Sequence, residues 1–384
     1  MKQNIIAVAG LLASTTSAYA AGLDRSGQDI GVLFETGNHL EFSAATISPV
    51  VDGRSRDGFG PFSGISISDV ADTFQLYSFG LKYELNDQLS FAVVVDQPYG
   101  SDVIYPGDPA TSLLGGTGAT VDSFGITALA RYKFNENFSV YGGVKYQEIS
   151  ANVTLGGQAF GGLNGYEGDF DSDGGFGYVL GAAYEIPDIA LRVALTYQSK
   201  VKHNLRTTET INGVPVSLIP GSGLSETSNT SVDTPENISL SFQSGVAKDT
   251  LVFGNIRYSN YDQTVVRPAA FTALSGGNAL TDLENAFDIE LGIGRRFNEK
   301  WSGSLAVGLT TKGDDDFVSP LDPRNGSQYV SLGVKYDVNE RVAVSGGIRY
   351  TELGDAIASP GGNPVADFKN NSAVSFGLSI GIKL

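Results

Sequence analysis

Four cations stand out because each falls on the polar or small-residue face of a segment whose opposite face is large and apolar: Arg131, Lys145, Lys335 and Arg349. A guanidinium so placed can grip a carboxylate through two hydrogen bonds, and an ammonium can hold one as a point charge. Phe74, Leu76, Val94 and Leu129 share that face but are apolar. Cavities that take small molecules are mostly hydrophobic, with a few polar groups that set orientation. These eight residues are therefore the candidate lining of an internal space for an apolar body with a polar head. A slip of one residue in register would turn them all to the other face. The four cations would otherwise pair with the many acidic side chains.

Gln97-Pro98-Tyr99-Gly100 closes an apolar run. Proline removes a ladder donor and glycine marks a bulge or bend, so these four are the expected kink of the third strand, or simply its end. Asp169-Phe170-Asp171-Ser172-Asp173-Gly174 starts like a calcium loop, but the twelfth position is Leu180 where the full pattern needs glutamate. Asp314-Asp315-Asp316 reads as a solvated loop tip. Gly377-Leu378-Ser379-Ile380-Gly381 matches G-x-S-x-G but lies inside an alternating strand, whereas a nucleophile elbow needs strand–turn–helix. His39 and His203 are the only histidines and read as surface residues. The expectation is a protein that is not an enzyme, with no catalytic residue, no metal site and no cofactor.

Strands must position these groups, because the period is two almost to the end of the chain. Phe124, Ile126, Ala128, Ala130, Tyr132 and Phe134 share one face, and so do Trp301, Leu305, Val307 and Leu309. Val374, Phe376, Leu378, Ile380, Ile382 and Leu384 repeat the pattern. Tight turns fall at Asn86-Asp87, Asn135-Glu136, Pro187-Asp188, Lys248-Asp249, Asn298-Glu299 and Asn339-Glu340. Long loops rich in Gly, Ser, Asp and Pro separate them, at about 51–71, 97–119, 155–171, 203–229, 262–281, 313–326 and 354–368. Six turns alternating with seven loops imply fourteen strands. An even strand number with short turns on one side and long loops on the other is the layout of an outer-membrane barrel. Hydrocarbon offers no hydrogen-bond partner, so such a sheet must close on itself. Tyr83, Phe134, Tyr258, Phe297, Trp301, Tyr336 and Tyr350, near strand ends, suit interfacial girdles. The expected fold is all-β: a transmembrane 14-stranded antiparallel β-barrel over 39–384, with the short segment 21–38 inside the lumen as a hatch or plug.

Composition agrees. The chain has 384 residues, net charge −17, 17% charged residues, 49 glycines and no cysteine. That excludes a disulfide scaffold and thiolate chemistry, and so acidic a chain lacks the basic footprint of a nucleic-acid binder. Residues 1–20 read as an export signal: Lys2, an apolar core from Ile5 to Ala13, and the small-x-small site Ala18-Tyr19-Ala20.

Several stretches, in order and spacing, resemble the FadL/TodX family of outer-membrane transporters. They are Ala21-Gly22-Leu23 with Ser26-Gly27, Asn86-Asp87-Gln88, Tyr99-Gly100, the hairpin Arg131 to Ser139, Gly175-Phe176-Gly177, Ala194 to Lys202 and Thr234-Pro235-Glu236. The resemblance implies a fourteen-stranded barrel with an N-terminal hatch. It also implies passive uptake of long-chain fatty acids, aromatic hydrocarbons or similar lipophiles, with capture at the extracellular loops and lateral exit near the third strand. The implied setting is the bacterial outer membrane, the neighbours lipid and lipopolysaccharide, the state monomeric. The alternative weighed is a general diffusion porin for small hydrophilic solutes. The hatch segment is short, and the chain ends in Leu384 rather than an aromatic residue.

Overall fold

The computed structural model describes residues 23–384, so the export signal at 1–20 and the first two residues of the 21–38 segment lie outside the described residues. Fourteen staves form the wall: β1 His39–Val50, β2 Phe74–Glu84, β3 Leu89–Asp96, β4 Gly118–Lys133, β5 Phe138–Leu155, β6 Tyr166–Ile186, β7 Leu191–Gln198, β8 Glu236–Ala247, β9 Thr250–Asn260, β10 Ala286–Arg296, β11 Trp301–Thr310, β12 Ser327–Asp337, β13 Val342–Leu353 and β14 Asn371–Lys383. Each pairs antiparallel with its chain neighbour, and β1 also pairs with β14 from His39↔Lys383 to Val50↔Ser372. This last ladder closes the sheet and removes both edges, as hydrocarbon requires.

Alternation sorts the side chains as period two demands. Phe376, Leu378 and Ile380 of β14 face outward, while Ser375 and Ser379, which alternate with them, are buried inward. Outward aromatics gather at two heights. Near the tight turns stand Phe138 against Tyr184 and Trp301 against Tyr336; farther up stand Tyr146 against Phe176 and Tyr258 against Phe287. Amphipathic rings at both interfaces are what a membrane-spanning barrel needs.

The extracellular side departs from the expected loop boundaries. Positions 166–171, expected in a loop, are strand, and both ends of the 203–229 loop are taken up by Lys202–Ile211 paired with Thr227–Asp233. The calcium-like run therefore sits in a strand, with Asp169 and Asp171 pointing out. Above the mouth, Phe317–Val318, Ala356–Ala358, Ala366–Phe368, Gly53–Ser55 and Ser66–Ile67 form a separate five-stranded sheet. Its apolar face packs on Ile47, Val70, Tyr105 and Leu114.

Candidate functional site

Residues 23–38 lie inside the barrel. A 3-10 turn, Gly31–Phe34, puts Ile30, Val32 and Leu33 against Ala92, Val94, Leu129, Tyr141 and Val179 of the inner wall. Polar ties fix the rest: Asp24 pairs with Arg257, Arg25 with Asp102 at 2.7 Å, and the Gln28 side chain accepts from Lys145 Nζ at 3.1 Å. Phe34 is gripped by two guanidiniums, Arg131 at 4.7 Å and Arg192 at 4.5 Å from its ring centre, with Tyr141 edge-on.

Gln97-Pro98-Tyr99-Gly100 interrupt the ladder between β3 and β4. The β3–β4 ladder runs to Asp96↔Gly125 and resumes at Ser101↔Val121, so four residues oppose three. That is a bulge, and it bends the stave. A Cβ at Gly125 would come within 2.8 Å of Asp96 Oδ1, so the bend needs glycine opposite it. Pro98 O and Gly100 N, turned inward, bond to Arg25 N and Leu23 O of the N-terminal segment. Tyr99 is buried and receives a hydrogen bond from Gln28 Nε2 at 2.9 Å. On its other side β3 leaves β2: pairing ends at Phe79↔Val95, Gln97 Oε1 accepts from Tyr77 N at 2.9 Å within the gap, and the two chain segments meet again at Ala71↔Val103.

All eight sequence-predicted lining residues face inward, but they do not form one site. Val94 and Leu129 are covered by the N-terminal segment. Phe74 lies under Arg25 at 3.7 Å, and Leu76 borders the β2–β3 seam. Arg131 is paired with Glu185, Lys145 bonds Gln28, and Lys335 pairs with Asp337 at 3.3 Å. Arg349 stacks on Tyr329 at 3.6 Å with Glu290 3.5 Å away, in the central cavity. Strand parity overlooked Lys82, Arg192 and Arg257, which the same alternation places inside. The two histidines correct the sequence reading: His39 is 7% exposed and His203 0%, both turned inward by parity. Ser379 Oγ donates to Glu41 Oε1 at 3.1 Å, and His39 Nε2 lies 3.9 Å from Glu41 Oε2. The carboxylate stands between serine and imidazole, so this is not the order that lets histidine take the serine proton.

Cavities run from the mouth to the wall and share lining residues. A vestibule of about 560 Å³ lies among the loops, lined in part by Phe160, Leu163, Phe271 and Leu280. Asp282 and Leu283 are shared with a second cavity of about 70 Å³, and Thr310 is common to that one and the central lumenal cavity of about 180 Å³. Asp29 then borders both the central cavity and one of about 60 Å³ at the β2–β3 seam. The central cavity holds Arg192, Arg257 and Arg349 against Asp29, Asp288 and Glu290. In the mouth, burial raises the Asp322 carboxyl above its ordinary value, although Arg324 pulls it down.

Residues 33–360 match the family described as Outer membrane protein transport protein (OMPP1/FadL/TodX). The chain belongs to that family. Its setting is the outer membrane, and its task is transport of hydrophobic compounds across it. The barrel is similar to a Pseudomonas aeruginosa FadL homologue, at 15% identity, TM-score 0.71 and 97% coverage of both chains. It is similar also to the Pseudomonas putida toluene transporter TodX, at 9% identity, TM-score 0.64 and 98% coverage of both. The CymD monoaromatic hydrocarbon channel matches at 12% identity, TM-score 0.58, and 99% and 98% coverage. At such identities the likeness is one of fold. No protein of curated function matches the chain.

Proposed function

We propose that this family member takes up hydrophobic molecules passively, as a monomer, capturing them in the loop vestibule and releasing them sideways between β2 and β3 into the bilayer. The observation that carries the reading is the seam. The β2–β3 ladder stops at Phe79↔Val95, and the cavity there is lined both by Asp29 and Val32 from the lumen and by the outward-facing Tyr77. A bilayer is the favourable sink for an apolar solute, so no energy source is needed. An N-terminal segment packed across the lumen weighs against an open diffusion porin. Fatty acids and hydrocarbons such as those carried by the similar channels are the ligand classes in view.

The test uses the absence of cysteine from the chain. Tyr77 and Gln97 would be the second pair beyond Phe79↔Val95, after Ser78 and Asp96, if the β2–β3 ladder continued. A Tyr77→Cys/Gln97→Cys disulfide should staple the seam, abolish protein-dependent uptake of a labelled hydrocarbon, and release it again under reductant. Equal uptake by oxidised and reduced protein would remove the lateral route.

A further inference from the structure

We propose that Glu209 is a positioning residue for capture: its buried carboxylate clamps the loop that carries Phe271, so that the vestibule wall is already in place when an apolar solute arrives. This rests on the loop vestibule proposed above as the capture site.

The loop needs an outside anchor. Between β9 and β10 the described residues 261–285 form no strand, and their one regular element is the short helix Ala269–Leu274. The first amides of a helix have no partner within it. The residue before this one is Pro268, whose side chain accepts nothing. Glu209, 61 and 62 residues away in sequence, takes the place of a local cap. Its Oε2 accepts from Ala270 N at 2.9 Å and its Oε1 from Phe271 N at 2.8 Å.

The other side of the clamp is rigid ladder. Glu209 lies in Lys202–Ile211 opposite Gly168 of β6, and its own N–H bonds to Glu226 O. Tyr166 of β6 donates its hydroxyl to Glu209 Oε1 at 3.0 Å, and its ring packs on Phe271 with centroids 5.5 Å apart. A Cβ at Gly168 would come within 2.8 Å of that hydroxyl, so glycine leaves the phenol its path to Glu209. Glu209 is 1% exposed, and a buried carboxylate without donors is costly. Lifting the loop would strip it of two of these three donors, so the charge itself resists displacement. Hydrogen bonds are also directional, where an apolar contact would let the loop slide. Phe271 is thereby fixed between Tyr166 and the vestibule, beside Leu163 and Leu280. A surface ordered in advance binds more tightly, because its ordering cost is not met at the moment of binding.

The experiment measures initial entry of labelled toluene and of labelled dodecan-1-ol against concentration, in cells that express the full chain, each corrected for cells that lack it. Glu209→Gln keeps the side chain's size but turns an NH2 group toward one of the two amides. Half-saturation should rise about tenfold, the scale of one hydrogen bond, with the maximal rate within about twofold. Amide exchange at residues 269–274 of the purified variant should speed up, while the barrel staves stay protected. Tyr166→Phe leaves the ring on Phe271 and removes one donor, so it should raise half-saturation by less. Thr207→Val breaks the buried hydroxyl bond from Thr207 to Thr230, 2.7 Å long, in the same hairpin, and should move neither quantity. Heat-modifiable gel migration checks that each variant is folded; should Glu209→Gln not fold, Tyr166→Phe decides the matter alone. Unchanged half-saturation in the folded variants, a loss confined to the maximal rate, or an equal rise in Thr207→Val would overturn the positioning role while leaving uptake standing. No protein-dependent entry of either probe by the unaltered chain would remove the capture reading, and this inference with it.

Discussion

Gln28 Nε2 donates to the Tyr99 hydroxyl at 2.9 Å, which ties the N-terminal segment to the bend of β3. Tyr99 in turn donates to Pro235 O at 3.3 Å, so one phenol joins segment, bend and the start of β8. Tyr99→Phe leaves the ring packing and removes these bonds. It should weaken docking of the segment by about 1–2 kcal/mol. Amide exchange at residues 24–31 should speed up, with the barrel strands unchanged; unchanged protection would show that the phenol does not latch the segment.

Asp24 and Arg257 form a buried ion pair, at 3% and 5% exposure. Asp24→Ala would leave Arg257 buried without its partner, a loss of about 3–5 kcal/mol. Undocking of the segment relieves that cost and opens the lumen. The expected outcome is a raised ion conductance in planar bilayers with little change in the thermal stability of the wall.

Phe34 is the lower anchor, held by Arg131 and Arg192. Two cation–π contacts and the lost packing make Phe34→Ala worth about 2–4 kcal/mol of docking. The periplasmic end should then leak small ions, whereas Phe34→Trp, which keeps a better cation partner, should not. Equal leakage from both would refute the anchoring role.

Burial in the lumen raises the Asp29 carboxyl above its ordinary 3.8, against the pull of the Gly31 amide and Arg192. Glu35, Glu41 and Glu290 face it as well. A folded pKa above the unfolded one means the docked segment holds this proton more tightly. The stabilising share is complete below 3.8 and is lost as pH climbs through the raised value. Exchange protection of the segment, corrected for intrinsic rates, should therefore fall with rising pH, and Asp29→Asn should flatten that dependence.

Leu280 and Phe271 are buried together with Phe160 alongside, under the vestibule. Leu280→Arg puts a charge on an apolar capture surface. Half-saturation for a hydrocarbon should rise by about tenfold with the maximal rate little changed, because only the first binding step is weakened.

Strand number was legible because asparagine-rich turns such as Asn298-Glu299 punctuate one end and loops the other. Inward placement of Arg131 and Arg349 followed from period two alone. What those cations touch did not follow. Gln28 and Tyr99 are 71 residues apart, and Asp24 meets Arg257 only once the sheet has closed. The loops were overestimated at 155–171 and 203–229 because Asp, Ser, Asn and Thr, read as turn formers, stand on the outer face of β6 and its neighbours, above the hydrocarbon. His203 looked like a loop-edge residue for the same reason, and is buried because the paired extension Lys202–Ile211 carries it inward.

β5 and β6 have 18 and 21 residues, whereas β1 has 12 and β10 has 11. At about 3.3 Å per residue and the usual tilt, the tall flank rises on the order of 25 Å beyond an apolar band about 25 Å high. The rim is thus cut on a slant, like a scoop. The low side is built up instead by the five-stranded sheet drawn from the loops after β1, β11 and β13, so a greasy particle drifting along the cell surface meets hydrogen-bonded ladder on one bearing and packed loop side chains on the other.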